Sequence, residues 1–199
     1  MKKILLILFI ISSLQSYGQV KVGSSIKFGT TLANFTDGPD TIKSKLDYDF
    51  GIEVFARLSS KWSVDLEWDN CTYGTRTHNP DKTRRLRLHL YYANFRIRGN
   101  YHFTDRLSAG LGFQYGINYL GRTVITEGIK KEVTGEDDFK SFDYGPIAEI
   151  RYRFTTKFYF YSNGYYGLNQ INLKKRGTRN IHNQAAQFGI GLYLGKTRK

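Results

Sequence analysis

Alternation of apolar and polar residues along almost the whole chain is the feature that most constrains the fold. In the stretch 107–118, Leu107, Leu111 and Phe113 are each followed by glycine, serine or glutamine. The same alternation recurs in eight runs: 20–35, 49–58, 62–73, 84–103, 107–121, 142–154, 158–173 and 184–194. A period of two gives a strand one apolar and one polar face. We find no comparable helical period, so the chain is predicted to be all-β.

The connections between these runs alternate strictly in length. Short links at 59–61, 104–106 and 155–157 alternate with long links at 36–48, 74–83, 122–141 and 174–183. Barrels of the outer membrane place short turns on one side and long loops on the other. An even number of strands also returns both termini to the short-turn side. The sequence therefore predicts an eight-stranded antiparallel up-and-down transmembrane β-barrel.

The first 18 residues have the three parts of a secretory signal peptide. Lys2 and Lys3 precede an apolar run at 4–11, which is too short to cross a bilayer. Ser16 and Gly18 then occupy positions −3 and −1 of a cleavage site before Gln19. We predict export, a signal peptide at 1–18, a barrel domain at 19–199, and residence in the outer membrane. The alternative is an N-terminal membrane anchor.

Aromatic residues near the ends of the runs fit the same prediction. Trp62 and Trp68 bracket the outward face of the third run, and four further aromatic residues lie near turns: Phe103, Tyr119, Phe154 and Phe158. Tryptophan and tyrosine are enriched where a membrane meets water, so these residues are expected to form an interfacial girdle. Ordinary β-propensity of aromatic residues is the alternative.

The polar face of the predicted barrel carries charges of both signs. An eight-stranded barrel has room in its lumen only for side chains, and charges removed from water must be paired. Centring the short turns places Glu53 opposite Glu67, Glu67 opposite Arg98, and Asp69 opposite Arg96. The predicted lumen network is Glu53, Arg57, Asp65, Glu67, Asp69, Arg96, Arg98, Glu149, Arg151 and Arg153. It forms either a structural plug or a selective pore.

Two strands depart from simple alternation. The fourth run changes phase after Tyr92, and a bulge near 92–94 would restore a common face. The sixth run contains Pro146, which cannot donate to a β-ladder. We expect a second bulge there.

The formal net charge is +13 at pH 7. An exported chain does not meet nucleic acid, so anionic lipid headgroups, lipopolysaccharide or other envelope proteins are the expected partners. The basic excess is concentrated around the second and fourth long links. Candidate headgroup contacts are Arg76, Lys82, Arg84, Arg85, Lys174, Lys175, Arg176 and Arg179. Solvated surface charge is the alternative.

Residues for catalysis or metal binding form no recognisable set. The four histidines show no zinc spacing, and the sequence contains neither a nucleophile elbow nor a phosphate loop. The single cysteine, Cys71, cannot form an internal disulfide. We therefore expect a structural or interaction barrel, neither an enzyme nor a cofactor protein. A soluble periplasmic ligand-binding barrel, a narrow channel and a barrel hydrolase using His78, His89 or His182 remain as alternatives.

Several short segments resemble the PorT-like outer membrane protein β-barrel domain family of Gram-negative envelopes. They are KFGTTLANF at 27–35, RGNYHFTD at 98–105, SAGLG at 108–112, FDYG at 142–145 and QFGIGL at 187–192. The resemblance covers the mature chain and implies an eight-stranded outer-membrane barrel without cofactor or catalytic residues. Pro146 and the non-aromatic ending GKTRK depart from the family pattern.

Overall fold

The computed structural model describes residues 20–36, 42–78, 84–127, 130–135, 139–171 and 181–194. These residues form nine β-strands. Their bounds are β1 Lys21–Thr36, β2 Ile42–Arg57, β3 Trp62–His78, β4 Arg84–His102, β5 Leu107–Glu127, β6 Lys130–Gly135, β7 Phe142–Arg153, β8 Phe158–Tyr166 and β9 His182–Leu194. The predicted signal peptide lies outside the described residues.

Eight of the strands close into a ring. The sheet runs β4-β3-β2-β1-β9-β8-β7-β5, and pairing between β4 and β5 joins its two ends. Each pairing in the ring is antiparallel. The ninth strand, β6, pairs only with the last residues of β5 and projects from the ring as a hairpin. The predicted eight-stranded antiparallel barrel is confirmed.

The strands extend further than the alternation predicts at the long-connection end. β2 already begins at Ile42, β3 continues to His78, and β5 and β6 form a hairpin inside the predicted loop 122–141. At this end of the described barrel only β8 is shorter than its predicted run, since it ends at Tyr166. Alternation of apolar and polar residues is visible only where the two faces of a strand differ in polarity. Where both faces have similar polarity, the β-ladder can continue although the sequence shows no alternation.

The predicted change of phase in β4 is wrong. Leu88, Leu90 and Tyr92 are buried in the lumen together with Asn94, so one face of β4 points inward throughout. What changes is the character of the lumen, from polar to apolar. The bulge of this region lies on β5, where Tyr91 and Tyr92 face Leu120 and Asn118 and the residue between these two has no partner.

The bulge expected at Pro146 is also absent, because β7 pairs with β5 through this position without a shift of register. The amide of Leu168 donates to the carbonyl of Tyr144 (2.8 Å), so the backbone of residue 144, and of Pro146 by alternation, points toward β8. The β7–β8 ladder begins only at Ile147. Pro146 therefore lies where no ladder bond is required.

The outer surface of the ring is apolar on every strand. Exposed outward residues, one from each ring strand in turn, are Phe28, Val54, Leu66, Ile97, Leu111, Ile150, Phe160 and Ile190. The six aromatic residues of the predicted girdle are exposed as well. A continuous apolar belt of this size is incompatible with water and is typical of a surface covered by lipid.

Among the described residues, no helix is long and apolar enough to cross a membrane.

The two tryptophans allow a direct test of the lipid-facing belt. In the Trp62→Phe variant Trp68 is the remaining tryptophan, and it lies on the outward face of β3. After reconstitution, we expect lipids with brominated acyl chains to quench Trp68 fluorescence strongly. The control replaces lumen-facing Tyr73 with tryptophan in a chain that also carries Trp62→Phe and Trp68→Phe, and it should be shielded. Equal quenching at the two positions would contradict the assignment of faces.

Candidate functional site

Charged side chains from five strands meet in the half of the lumen nearest the short turns. The four cations are Lys27, Arg96, Arg98 and Arg151, and the five carboxylates are Glu53, Asp65, Glu67, Asp69 and Glu149; none is more than 8% exposed. All nine occupy inward positions of the alternation. Because each is removed from bulk water, each must find opposite charge inside the barrel.

Glu67 is the centre of this lumen network. Its Oε2 accepts from Lys27 Nζ (2.9 Å) and Arg98 Nη2 (2.5 Å), and its Oε1 accepts from Arg96 Nη1 (2.8 Å). These cations come from β1 and β4, on either side of the β2–β3 pair. One carboxylate therefore holds three cations from two other strands.

Other ion pairs cross the lumen and tie opposite walls together. Lys27 on β1 donates to Glu149 on β7 (Nζ to Oε2, 2.7 Å). Arg151 on β7 binds Glu53 on β2 through two parallel hydrogen bonds of 2.9 and 2.7 Å, and it also bonds Glu149 on its own strand. Bidentate arginine–carboxylate pairs fix orientation as well as distance. The lumen network therefore fixes the relative positions of strands that are not neighbours in the sheet.

Tyrosines of β8 seal the lumen network on one side. The Tyr159 ring lies 4.7 Å from the Arg151 guanidinium, and the Tyr161 ring lies 4.1 Å from Lys27 Nζ. The Tyr161 hydroxyl donates to Asp49 Oδ2 (2.6 Å). A Cβ at Gly191 would collide with the Tyr159 ring, so the glycine makes room for the aromatic cover.

The half of the lumen nearest the long connections is mainly apolar, although buried Asn183 donates there to Asp143 (2.8 Å) and to the Tyr92 hydroxyl (3.3 Å). Above the ions, Gln114 accepts from Arg96 Nε (2.7 Å) and donates to the Tyr73 hydroxyl (2.8 Å). Beyond this layer lies a buried cluster made of Ala33, Phe35, Cys71, Tyr73, Leu88, Leu90, Tyr92, Tyr165, Ile171 and Ala185. Phe139 and Ile181, from the connections, pack against it. The barrel is thus filled by two layers, an ionic one and an apolar one.

The structure brings together eight of the ten residues predicted for the lumen network, all except Arg57 and Arg153. Arg57 donates to the backbone carbonyls of Ser59 and Ser60 in the β2–β3 turn. Arg153 is half-buried at the end of β7. Among the described residues neither forms an ion pair, because both lie where solvent reaches the rim.

The predicted register between β3 and β4 is wrong by two residues. Glu67 faces Arg96, and Asp65 faces Arg98. The arginine side chains are long enough to reach diagonally, and so Arg98 still binds Glu67 and Arg96 still binds Asp69. Between β2 and β3, Glu53 does face Glu67.

Sequence reasoning missed Lys27, Asp49 and Gln114 as members of the lumen layer. The signal for Lys27 was its position between outward Ile26 and Phe28, which places it on the inward face of β1. For Asp49 and Gln114 the sequence contains no signal that distinguishes them from the other polar residues of β2 and β5.

The predicted headgroup contacts are only partly described. Arg76 is exposed on β3. Arg84 and Arg85 begin β4, but their side chains lie outside the described part of the chain. The same holds for the whole of the remaining five predicted contacts: Lys82, Lys174, Lys175, Arg176 and Arg179.

The histidines form one hydroxyl–imidazole pair but no triad in the described residues. Ser63 Oγ lies 2.9 Å from His102 Nε2 near the short-turn end, and no described carboxylate forms an ion pair with this histidine. His89 Nδ1 lies 3.4 Å from Asp47 Oδ2, whose other partner is Lys45. The His182 ring stacks on the Tyr166 ring, with 6.4 Å between ring centres. The side chain of His78 is not among the described side chains. No group of three or more potential metal ligands occurs within the described ranges.

A closed antiparallel ring with an apolar exterior and a packed lumen defines a β-barrel of the outer-membrane class. The chain belongs to the outer membrane protein β-barrel domain family, whose model matches residues 4–193. The outer membrane is therefore its location.

One solved structure of a small outer-membrane barrel shows the same fold at low sequence identity. Ail, the attachment invasion locus protein of Yersinia pestis, is 13% identical, with a TM-score of 0.51, over 87% of this chain and 99% of that one. Neisserial surface protein A is 12% identical, with a TM-score of 0.49, over 87% and 97% of the two chains. No curated protein matches the sequence.

Loss of one cation should expose the role of the lumen network in stability. Arg98→Met leaves Glu53, Asp65 and Glu67 short of a partner inside the barrel. We expect the free energy of unfolding to fall by about 3 to 5 kcal/mol, measured by urea unfolding in lipid vesicles.

The matched control is Arg57→Met, which removes an arginine that, among the described residues, bonds to turn carbonyls near the surface and to no carboxylate. It should cost less than about 1 kcal/mol. Equal losses for the two variants would mean that the lumen network contributes no more than a rim contact.

Proposed function

We propose that this protein is a closed, non-conducting and non-catalytic barrel that acts through its outer surface and its long-connection end. Its partners there are lipopolysaccharide, other anionic lipid headgroups or envelope proteins. The single observation that carries the proposal is the double filling of the lumen, by ions in one half and mainly by apolar side chains in the other. We expect a barrel whose lumen is filled in this way to interact from outside.

The narrow-channel alternative requires a continuous polar path. Arg98, Glu53 and Glu67 are at most 3% exposed, and the apolar cluster covers them toward the long-connection end. An ion entering this layer would have to displace charges that already neutralise one another. This arrangement favours a plug over a pore.

The hydrolase alternative has little support in the side chains. Hydrolysis of this kind requires a nucleophile and an oriented base within hydrogen-bonding reach. His89 has an acidic neighbour in Asp47, but its ring stacks on Tyr91, and among the described residues no serine or threonine hydroxyl bonds to it. Ser63 and His102 lie within hydrogen-bonding reach (2.9 Å), but in the described part of the chain no carboxylate forms an ion pair with His102 that would orient it as a base. A soluble ligand-binding barrel would turn its apolar face inward, contrary to the exposed apolar belt.

The narrower relationship to PorT-like barrels remains a prediction.

Planar-bilayer recording tests the proposal directly. We expect the wild-type protein, shown to be folded and inserted, to produce no discrete conductance steps, because the ionic and apolar layers leave no water path. A general diffusion porin inserted in the same membranes is the positive control. Reproducible single-channel steps that require this protein would contradict the proposal and favour the channel.

A further inference from the structure

Cations stand directly opposite one another on the outer face at the long-connection end. Lys43 on β2 faces Arg76 on β3, and Arg76 faces Arg87 on β4. Arg122 on β5 lies diagonally next to Arg87, because it pairs with the neighbouring outward position, His89. All four side chains are exposed. They form one row across four adjacent strands, which we term the cationic row.

The cationic row lowers the stability of the folded protein when no anion is bound to it. Like charges placed directly opposite on paired strands repel and destabilise the sheet. In the part of the chain that the structure describes, no carboxylate forms an ion pair with Lys43, Arg76, Arg87 or Arg122. The nearby carboxylate of Asp47 is already bound to Lys45 (2.8 Å) and close to His89. An external anion would remove the repulsion.

The position of the cationic row specifies where that anion comes from. Along the outward face of β4, Arg87 is followed toward the short turns by His89, Tyr91, Ala93 and Phe95. The Tyr91 ring contacts Tyr119 of β5 (6.3 Å between ring centres). The cations therefore lie immediately beyond the aromatic border of the apolar belt. This is the level of lipid headgroups.

We propose that the cationic row binds the headgroup of a phosphorylated glycolipid of the outer leaflet, one that carries at least two phosphates. Neighbouring strands are about 4.8 Å apart, so four strands span roughly 14 Å, enough for more than one phosphate. Arginine suits this ligand because its fork donates two hydrogen bonds to phosphate oxygens. The inference rests on the proposed function and names the ligand of its outer surface.

Native mass spectrometry in a neutral maltoside detergent tests the proposal with diphosphoryl lipid A as the probe. The wild-type protein should bind one molecule, and dephosphorylated lipid A should bind at least tenfold more weakly. Inorganic phosphate at equal concentration should not displace the lipid, which separates a headgroup site from a free-phosphate site. The Arg76→Gln/Arg87→Gln variant should lose affinity for diphosphoryl lipid A by about tenfold or more.

The matched control, Lys61→Gln/Lys157→Gln, removes the same charge from exposed lysines at the short-turn end. It should bind like the wild-type protein. In lipid-free detergent the Arg76→Gln/Arg87→Gln variant should unfold at a higher urea concentration than the wild type, because a repulsion has been removed. A gain of stability together with a loss of binding distinguishes a ligand site from a structural contact.

Equal loss of affinity in the two variants would overturn the proposal, as would equal binding of phosphorylated and dephosphorylated lipid A. Failure of the folded wild type to bind diphosphoryl lipid A would overturn it as well. None of these results would affect the proposed function, which depends on the absence of conductance.

Discussion

The fold depends on neutralising charge inside a closed space. Nine charged side chains form the lumen network, and each would cost several kcal/mol if left alone and ionised away from water. They are tolerated because Glu67 gathers Lys27, Arg96 and Arg98, and because Arg151 is shared between Glu53 and Glu149. Such pairs contribute little net stability compared with an apolar core, but breaking any one is expensive. They therefore select one register of the strands against its alternatives.

The two layers of the lumen stabilise different parts of the barrel. The ionic layer lies inside the apolar belt, where it ties β1, β2 and β7 across the barrel. The apolar cluster lies toward the long connections and packs like the core of a water-soluble protein, with Tyr73 stacked on Tyr165 at 5.7 Å. It supports strands that continue past the level of Tyr91 and Tyr119. These extensions present Lys43, Arg76, Arg87 and Arg122 at a defined height instead of on loose loops.

Much of the architecture could be predicted from the sequence, because alternation measures the contrast between lipid and lumen. The number of ring strands, the three short turns and the inward position of residues such as Glu53 and Arg98 all follow from it. The diagonal reach of Arg96 and Arg98 could not be predicted, because a shift of two residues keeps every side chain on the same face. The apolar filling near Leu88 and Leu90 could not be predicted either. An inward-facing apolar residue gives the same sequence pattern as a strand whose apolar face has changed sides.

Side-chain NMR of the arginines tests the central claim, that the lumen is dry and its ions are paired, most directly. In the structure, Arg96 Nε–H donates to Gln114 (2.7 Å) and Arg151 Nε–H donates to Glu149 (3.1 Å). The exchange of these two N–H groups with water can be measured in protein reconstituted in nanodiscs. The account predicts resolved signals for these two groups with exchange against water far slower than that of the rim residue Arg57. Rapid exchange of Arg96 and Arg151, at the rate of Arg57, would show that water fills the lumen and would contradict the account.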